Sequence, residues 1–147
     1  MRAFVACVLA ITFIGPAVAA ESSLFRPDPL SVQREGKGYR YPQAGWIVLH
    51  VEGEPYERGY QHGRLMAPEI AAFVRCVAAE QGYKDPAGAW RITRTLVNSL
   101  FLRKCETEYL DEMKGIADGA SDAGVKYDGR PIDVVDIAAL KIGRAHV

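Results

Sequence analysis

Two glycines four residues apart inside a helical pattern place the tightest constraint on this chain. They lie in EGEPYERGYQHGRLMAPEI, Glu52 to Ile70. Gly53-Glu54-Pro55 is turn chemistry, and proline suits the first turn of a helix, where its missing N–H has no helical partner. Glu54 and Glu57 bring negative charge to that N-terminus, as the macrodipole favours. A helix is therefore predicted from Pro55, with Gly59 and Gly63 on one of its faces. Glycine in a helix interior costs about 1 kcal/mol against alanine. The spacing predicts a close approach to a sheet or another helix, whose packing outweighs about 2 kcal/mol of lost propensity. His62 lies beside that groove and reads as a structural hydrogen-bonding residue ahead of a general base.

Further along, Pro68 is expected to kink or break the helix. Ile70, Phe73, Val74 and Val77 then form one apolar stripe that Gly82 ends. Asp85-Pro86 is a second N-terminal signature, followed by Trp90, Val97, Leu100 and Phe101 on one face. A third helix is predicted over about Glu106–Ala123, with Tyr109, Met113, Ile116, Ala117 and Ala120 inward and Gly124 as the stop. Asp133 and Asp136 open a fourth, which carries Val134, Val135, Ile137, Ala138 and Leu140. Gly45–Glu52, rich in β-branched and aromatic residues, reads as a strand buried on both faces or nearly so. His50 then belongs within or at the edge of that sheet and is not a ligand. Residues 21–44, with Pro27, Pro29, Gly36 and Gly38, read as an irregular surface lead-in. The chain is thus expected to be mostly helical with one short strand, a layer that cannot complete a sheet alone.

The two ends read differently. Arg2 precedes an unbroken apolar run, Ala3 to Ile14, closed by Gly15-Pro16 and Ala17-Val18-Ala19-Ala20. This is the pattern of a secretory signal cleaved after Ala19 or Ala20, spanning residues 1–20. About 12 apolar residues are too few to cross a bilayer core of roughly 30 Å, so no membrane anchor is expected. Cys7 lacks a lipoprotein-type context. The expected location is exported, periplasmic or extracellular. At the other end, Ile142–Val147 is what a common sequencing adapter yields on translation, and its first two bases complete the codon of Lys141. Residues 141–147 are therefore set aside as an artefact, His146 included, and the natural chain is expected to continue past Leu140.

Residues 21–140 hold 15 Lys+Arg and 18 Asp+Glu, a net charge of −3. The charges are interspersed, without a basic patch or charge block, which argues against nucleic acid as a partner. Cys76 and Cys105 fall on two different predicted helices. In an oxidising compartment they either pair or act as small apolar residues. No zinc spacing links His50, Glu57 and His62, there is no phosphate loop, and Ser121 lacks a nucleophile-elbow setting.

Taken together, Gly53-x-Pro55-x-Glu57-x-Gly59-Tyr60-x-His62-Gly63 after a short apolar strand resembles the opening of the acyl-coenzyme A:isopenicillin-N acyltransferase-like family. Glu112-x-x-Gly115-Ile116-Ala117-x-Gly119-Ala120 is similar to that family's next helical landmark. Asp133–Leu140 resembles the helix ahead of its catalytic segment. The resemblance covers roughly Trp46 to Leu140, here residues 45–140. It implies the α+β class and the N-terminal part of an αββα sandwich, that of N-terminal-nucleophile hydrolases. Such a precursor cuts itself just before a cysteine, which becomes the nucleophile and, through its new α-amino group, its own base. The reaction is amide hydrolysis or acyl transfer on a small acyl substrate, with no metal and no cofactor, and the cleaved N-terminal portion stays with the remainder of its own chain. No catalytic residue can be assigned within this chain. Cys76 and Cys105 lie in predicted helices ahead of the expected nucleophile, and a buried helical thiol is a weak one. The motif residues Gly53, Pro55, Glu57, Gly59, Tyr60, His62 and Gly63 are expected to be structural. Alternatives are a small exported helical binding module without catalysis, and a phospholipase-like member of the same superfamily.

Overall fold

The computed structural model describes residues 31–142, and every residue of that range but Ile142 by its side chain as well. The expected signal, its cleavage at Ala19 or Ala20 and residues 143–147 lie outside the described residues. The described chain combines helices with small sheets, an α+β arrangement.

It opens with a three-stranded antiparallel sheet: β1 (Gln33–Glu35), β2 (Gly38–Gln43) and β3 (Trp46–His50), in that spatial order. The β2–β3 ladder runs from Tyr39 opposite His50 to Gln43 opposite Trp46. Its loop is the pair Ala44-Gly45, both at positive φ (49° and 83°). That matches a type I′ turn, whose twist suits a hairpin. Arg40 reaches from the sheet to the helices, donating to the Leu65 carbonyl at 2.5 Å and to Glu69 at 2.8 Å. Arg40 thereby fixes the sheet against a helix end. Directly opposed residues share a face, so Tyr39, Tyr41, Val48 and His50 lie on the side away from Arg40, with Tyr39 stacked on His50 at 4.8 Å.

Five helices follow among the described residues: α1 (Pro55–Leu65), α2 (Ala67–Gln81), α3 (Pro86–Leu100), α4 (Thr107–Asp122) and α5 (Val134–Ile142). Pro55 occupies the first turn of α1, and Pro68 marks the break between α1 and α2 at Met66. Asp85 caps α3 through the Gly88 N–H at 2.9 Å. Gly124, at φ +90°, ends α4. A second hairpin, β4 (Lys126–Tyr127) and β5 (Arg130–Pro131), turns on Asp128-Gly129 before α5. Val74, Val77, Trp90, Val97, Ile116 and Ile137 centre the core, which α2, α3, α4 and α5 share.

Several expectations need correction. Residues 33–43 of the supposed irregular lead-in hold β1 and β2, so five short strands lie among the described residues and not one. The strand Trp46–His50 is not buried on both faces: Trp46 is 78% exposed and Ile47 42%. Its sheet is covered by helices on the Arg40 side only, among the described residues. Leu100, Phe101 and Tyr109 are exposed, because Trp90, Val97 and Met113 supply the inward faces of their helices. Cys105 is not in a helix but follows the short 3-10 turn Leu102–Lys104, and Cys76 is exposed on α2; both are free thiols.

Candidate functional site

The residues that carry the family resemblance are brought together along one seam. A Cβ at Gly59 would strike the Glu112 carbonyl and lie 3.0 Å from the Ile116 nitrogen. One at Gly63 would strike the Ile116 carbonyl and lie 2.8 Å from the Ala120 nitrogen. The relation is reciprocal. Gly115 faces the Tyr56 carbonyl, and Gly119 faces the Tyr60 carbonyl. Two Gly-x-x-x-Gly stripes, one per helix, thus bring the backbones of α1 and α4 into direct contact, side by side and in the same direction. Close backbone approach of this kind needs hydrogen at the α-carbon.

Polar pairs flank the seam. Tyr56 donates to Asp118 at 2.9 Å and Tyr60 to Asp122 at 2.8 Å. Each hydrogen bond to a carboxylate raises the phenol pKa, with desolvation adding to it. Arg58 bridges to Glu108 at 3.2 Å and Glu112 at 3.4 Å. At the N-terminus of α1, Gly53 sits at φ +118°, where a side chain would be strained and would meet Glu57. Glu57 accepts the Glu54 N–H at 3.3 Å. Gln61, not singled out from sequence, is buried and reads the Glu52 backbone both ways: its amide donates to the carbonyl at 2.8 Å and accepts the N–H at 3.0 Å. This side-chain pairing to a backbone 9 residues upstream leaves no periodic signal.

His62 is half-buried and its side chain forms no hydrogen bond among the described residues, unlike the expectation. Burial pushes its pKa below the ordinary value, with Glu112 opposing and Lys141 assisting. Burial thus disfavours the imidazolium form, and no thiol or hydroxyl is hydrogen-bonded to the ring among the described residues. His50 sits 3.4 Å from Glu52 at the sheet edge. None of the seven motif residues is arranged as a nucleophile–base pair. Their common work is to join the β3–α1 turn, α1 and α4.

A second polar cluster holds the start of α5. Asp136, fully buried, accepts from Trp90 Nε1 at 2.8 Å, from both terminal nitrogens of Arg130 at 2.8 Å, and from the Asp133 N–H at 2.9 Å. Arg94 adds an ion pair at 2.6 Å and grips Asp133 with two bonds of 2.8 Å. Burial works to raise both aspartate pKa values, but the guanidinium and N–H donors outweigh it and hold them below the ordinary carboxylate value. A carboxylate whose lone pairs are committed and whose proton affinity is lowered is a poor general base, so this cluster is an anchor for α5. Sequence marked Asp133 and Asp136 only as helix openers. Trp90, Arg94 and Arg130 come from elements that no local pattern links.

Comparison with known proteins gives one relative of use here. An uncharacterized protein of Archaeoglobus fulgidus is 38% identical over 109 residues, which cover 67% of this chain. The chain spans 17% of that protein's length. No family model matches the chain, and no solved structure matches it.

Proposed function

We propose that this chain is the N-terminal portion of an exported, autoproteolytic acyltransferase or amidohydrolase of the N-terminal-nucleophile type. Its cysteine nucleophile lies beyond Leu140, and residues 45–140 are the part set before it in an αββα sandwich. One observation carries the reading. The two stretches that resemble the family, far apart in sequence, pack on each other through four glycines (Gly59, Gly63, Gly115 and Gly119). A pattern this specific in its spacing is accounted for as one packing unit.

In the whole protein, self-cleavage frees the α-amino group of the cysteine, which takes the thiol proton as the sulfur attacks a substrate carbonyl. The amine leaves with a proton, and the thioester passes its acyl group to water or to an acceptor amine. On this reading the chain by itself is inactive. The anchored start of α5 directs the chain toward the segment that carries the nucleophile.

The test is to resequence the source DNA across the codon for Leu140. The expected result is an open frame that continues to a cysteine at a new strand. Expression of that longer chain then yields two fragments, the second with an N-terminal cysteine by mass spectrometry. A frame that ends after Val147 removes the enzyme reading. It leaves the small exported binding module, with its exposed aromatic sheet face as the surface to examine.

A further inference from the structure

The geometry points to a binding site for a phosphate group between α3 and α5. A cavity of about 480 Å³ is lined by Arg91, Arg94, Thr95, Asn98, Arg130 and Val135. Its size is that of small-ligand sites. Three guanidinium groups stand in its wall and no acidic side chain does.

Their aspartate partners hold them in place without lining the cavity. Asp133 and Asp136 fix Arg94 and Arg130, and Asp128 holds Arg91 at 2.7 Å. The forks are therefore positioned before any ligand arrives, which lowers the entropic cost of binding. The Arg94 and Arg130 charges are each paired with the buried Asp136 and with the half-exposed Asp133, whereas the Arg91–Asp128 pair is a single ion pair exposed on both sides. Such a pair is worth about 0–1 kcal/mol, so an incoming anion competes for Arg91 at little cost. Two turns further along α3, the exposed Asn98 lines the same space and its side chain has no hydrogen bond among the described residues. Thr95 adds hydroxyl lone pairs only, since its proton goes to the Arg91 carbonyl at 3.0 Å.

Donors converging from two elements suit a tetrahedral anion with three free oxygens more than a planar carboxylate, and guanidinium is the side chain that meets such oxygens in pairs. The site uses none of the residues of the glycine seam and does not rest on the acyltransferase reading.

The test is isothermal titration of the chain with inorganic phosphate at fixed ionic strength, beside acetate. Saturable phosphate binding is expected, with Arg91→Ala weakening it at least tenfold and Asn98→Ala weakening it several-fold. Arg75→Ala, at an exposed arginine elsewhere on α2, should leave it unchanged. A phosphate monoester titrated in parallel tells the free ion from a phosphorylated small molecule as the natural ligand. Circular dichroism establishes that Arg91→Ala keeps its fold. Absence of saturable binding, equal weakening by Arg75→Ala, or acetate binding as tightly as phosphate overturns the proposal.

Discussion

Replacing Gly63 with alanine sets two physical effects against each other, and the sign of the result decides between them. Helix propensity alone favours Gly63→Ala by about 1 kcal/mol. The seam opposes it. The new Cβ meets the Ile116 carbonyl and the Ala120 nitrogen at 2.8 Å, and both are backbone atoms that cannot rotate away. Relief requires α1 and α4 to part by about 1 Å, which forfeits a quarter to a half of the dispersion attraction at each contact along the seam. It also strains the Tyr60–Asp122 hydrogen bond alongside. Overpacking of this kind costs typically 1–3 kcal/mol, here at or above the upper end because backbone meets backbone. After the propensity gain is subtracted, a net loss of about 2 kcal/mol or more is expected. Urea unfolding followed by circular dichroism reads it as a lower midpoint at unchanged slope. A variant more stable than the parent by about 1 kcal/mol would refute the close-contact account.

Three further expectations follow from the polar groups. Asp136→Asn leaves Arg94 and Arg130 facing a neutral amide in the core, and a loss of about 3 kcal/mol or more is expected in the same unfolding assay; a loss below about 1 kcal/mol would count against the anchor. Asp133 and Asp136 have folded pKa values below the ordinary 3.8, so their stabilisation is fully present above that value and is lost as pH falls through the folded values. Acid unfolding monitored by Trp90 fluorescence should set in below about pH 4, and a transition unmoved by Asp136→Asn would contradict this. His62 has a folded pKa below 6.5, so the unfolded chain binds its proton first and stability declines as pH drops below 6.5. His62→Gln should flatten the stability–pH curve between pH 7 and 5, and an unchanged slope there would argue against burial of the neutral ring.

The helix starts were legible because their signals are local. Pro55, Asp85-Pro86 and Asp133 each act within one turn, and each opens a helix where expected. The glycine pair of α1 announced a close approach, but its partner was not legible. Gly115 and Gly119 repeat the same spacing, yet nothing local says that two such stripes face each other. The β2–β3 hairpin was missed because Ala44-Gly45 turns it. Alanine at φ +49° is a poor signal for a type I′ turn, where asparagine or aspartate is usual. The β4–β5 hairpin did carry that signal in Asp128-Gly129, both at positive φ, and a search for it would have found the turn. The Asp136 cluster draws Trp90, Arg94 and Arg130 from 46, 42 and 6 residues away in sequence, so only the folded chain assembles it. The burial of the first strand was misjudged because an apolar run shows that a strand can be covered, not that this stretch of chain supplies the cover.

The single glycine pair in each of α1 and α4 also limits how these helices can move. Sliding one along the other by a single residue would drive a tyrosine or an isoleucine side chain into the backbone contact. A slide of four residues, about 6 Å at 1.5 Å per residue, would keep only one glycine of each pair in the contact, so no second register restores the fit. The four glycines therefore hold α1 on α4 in a single register. The sheet, joined to the end of α1 by Arg40, thereby meets α4 through one rigid contact.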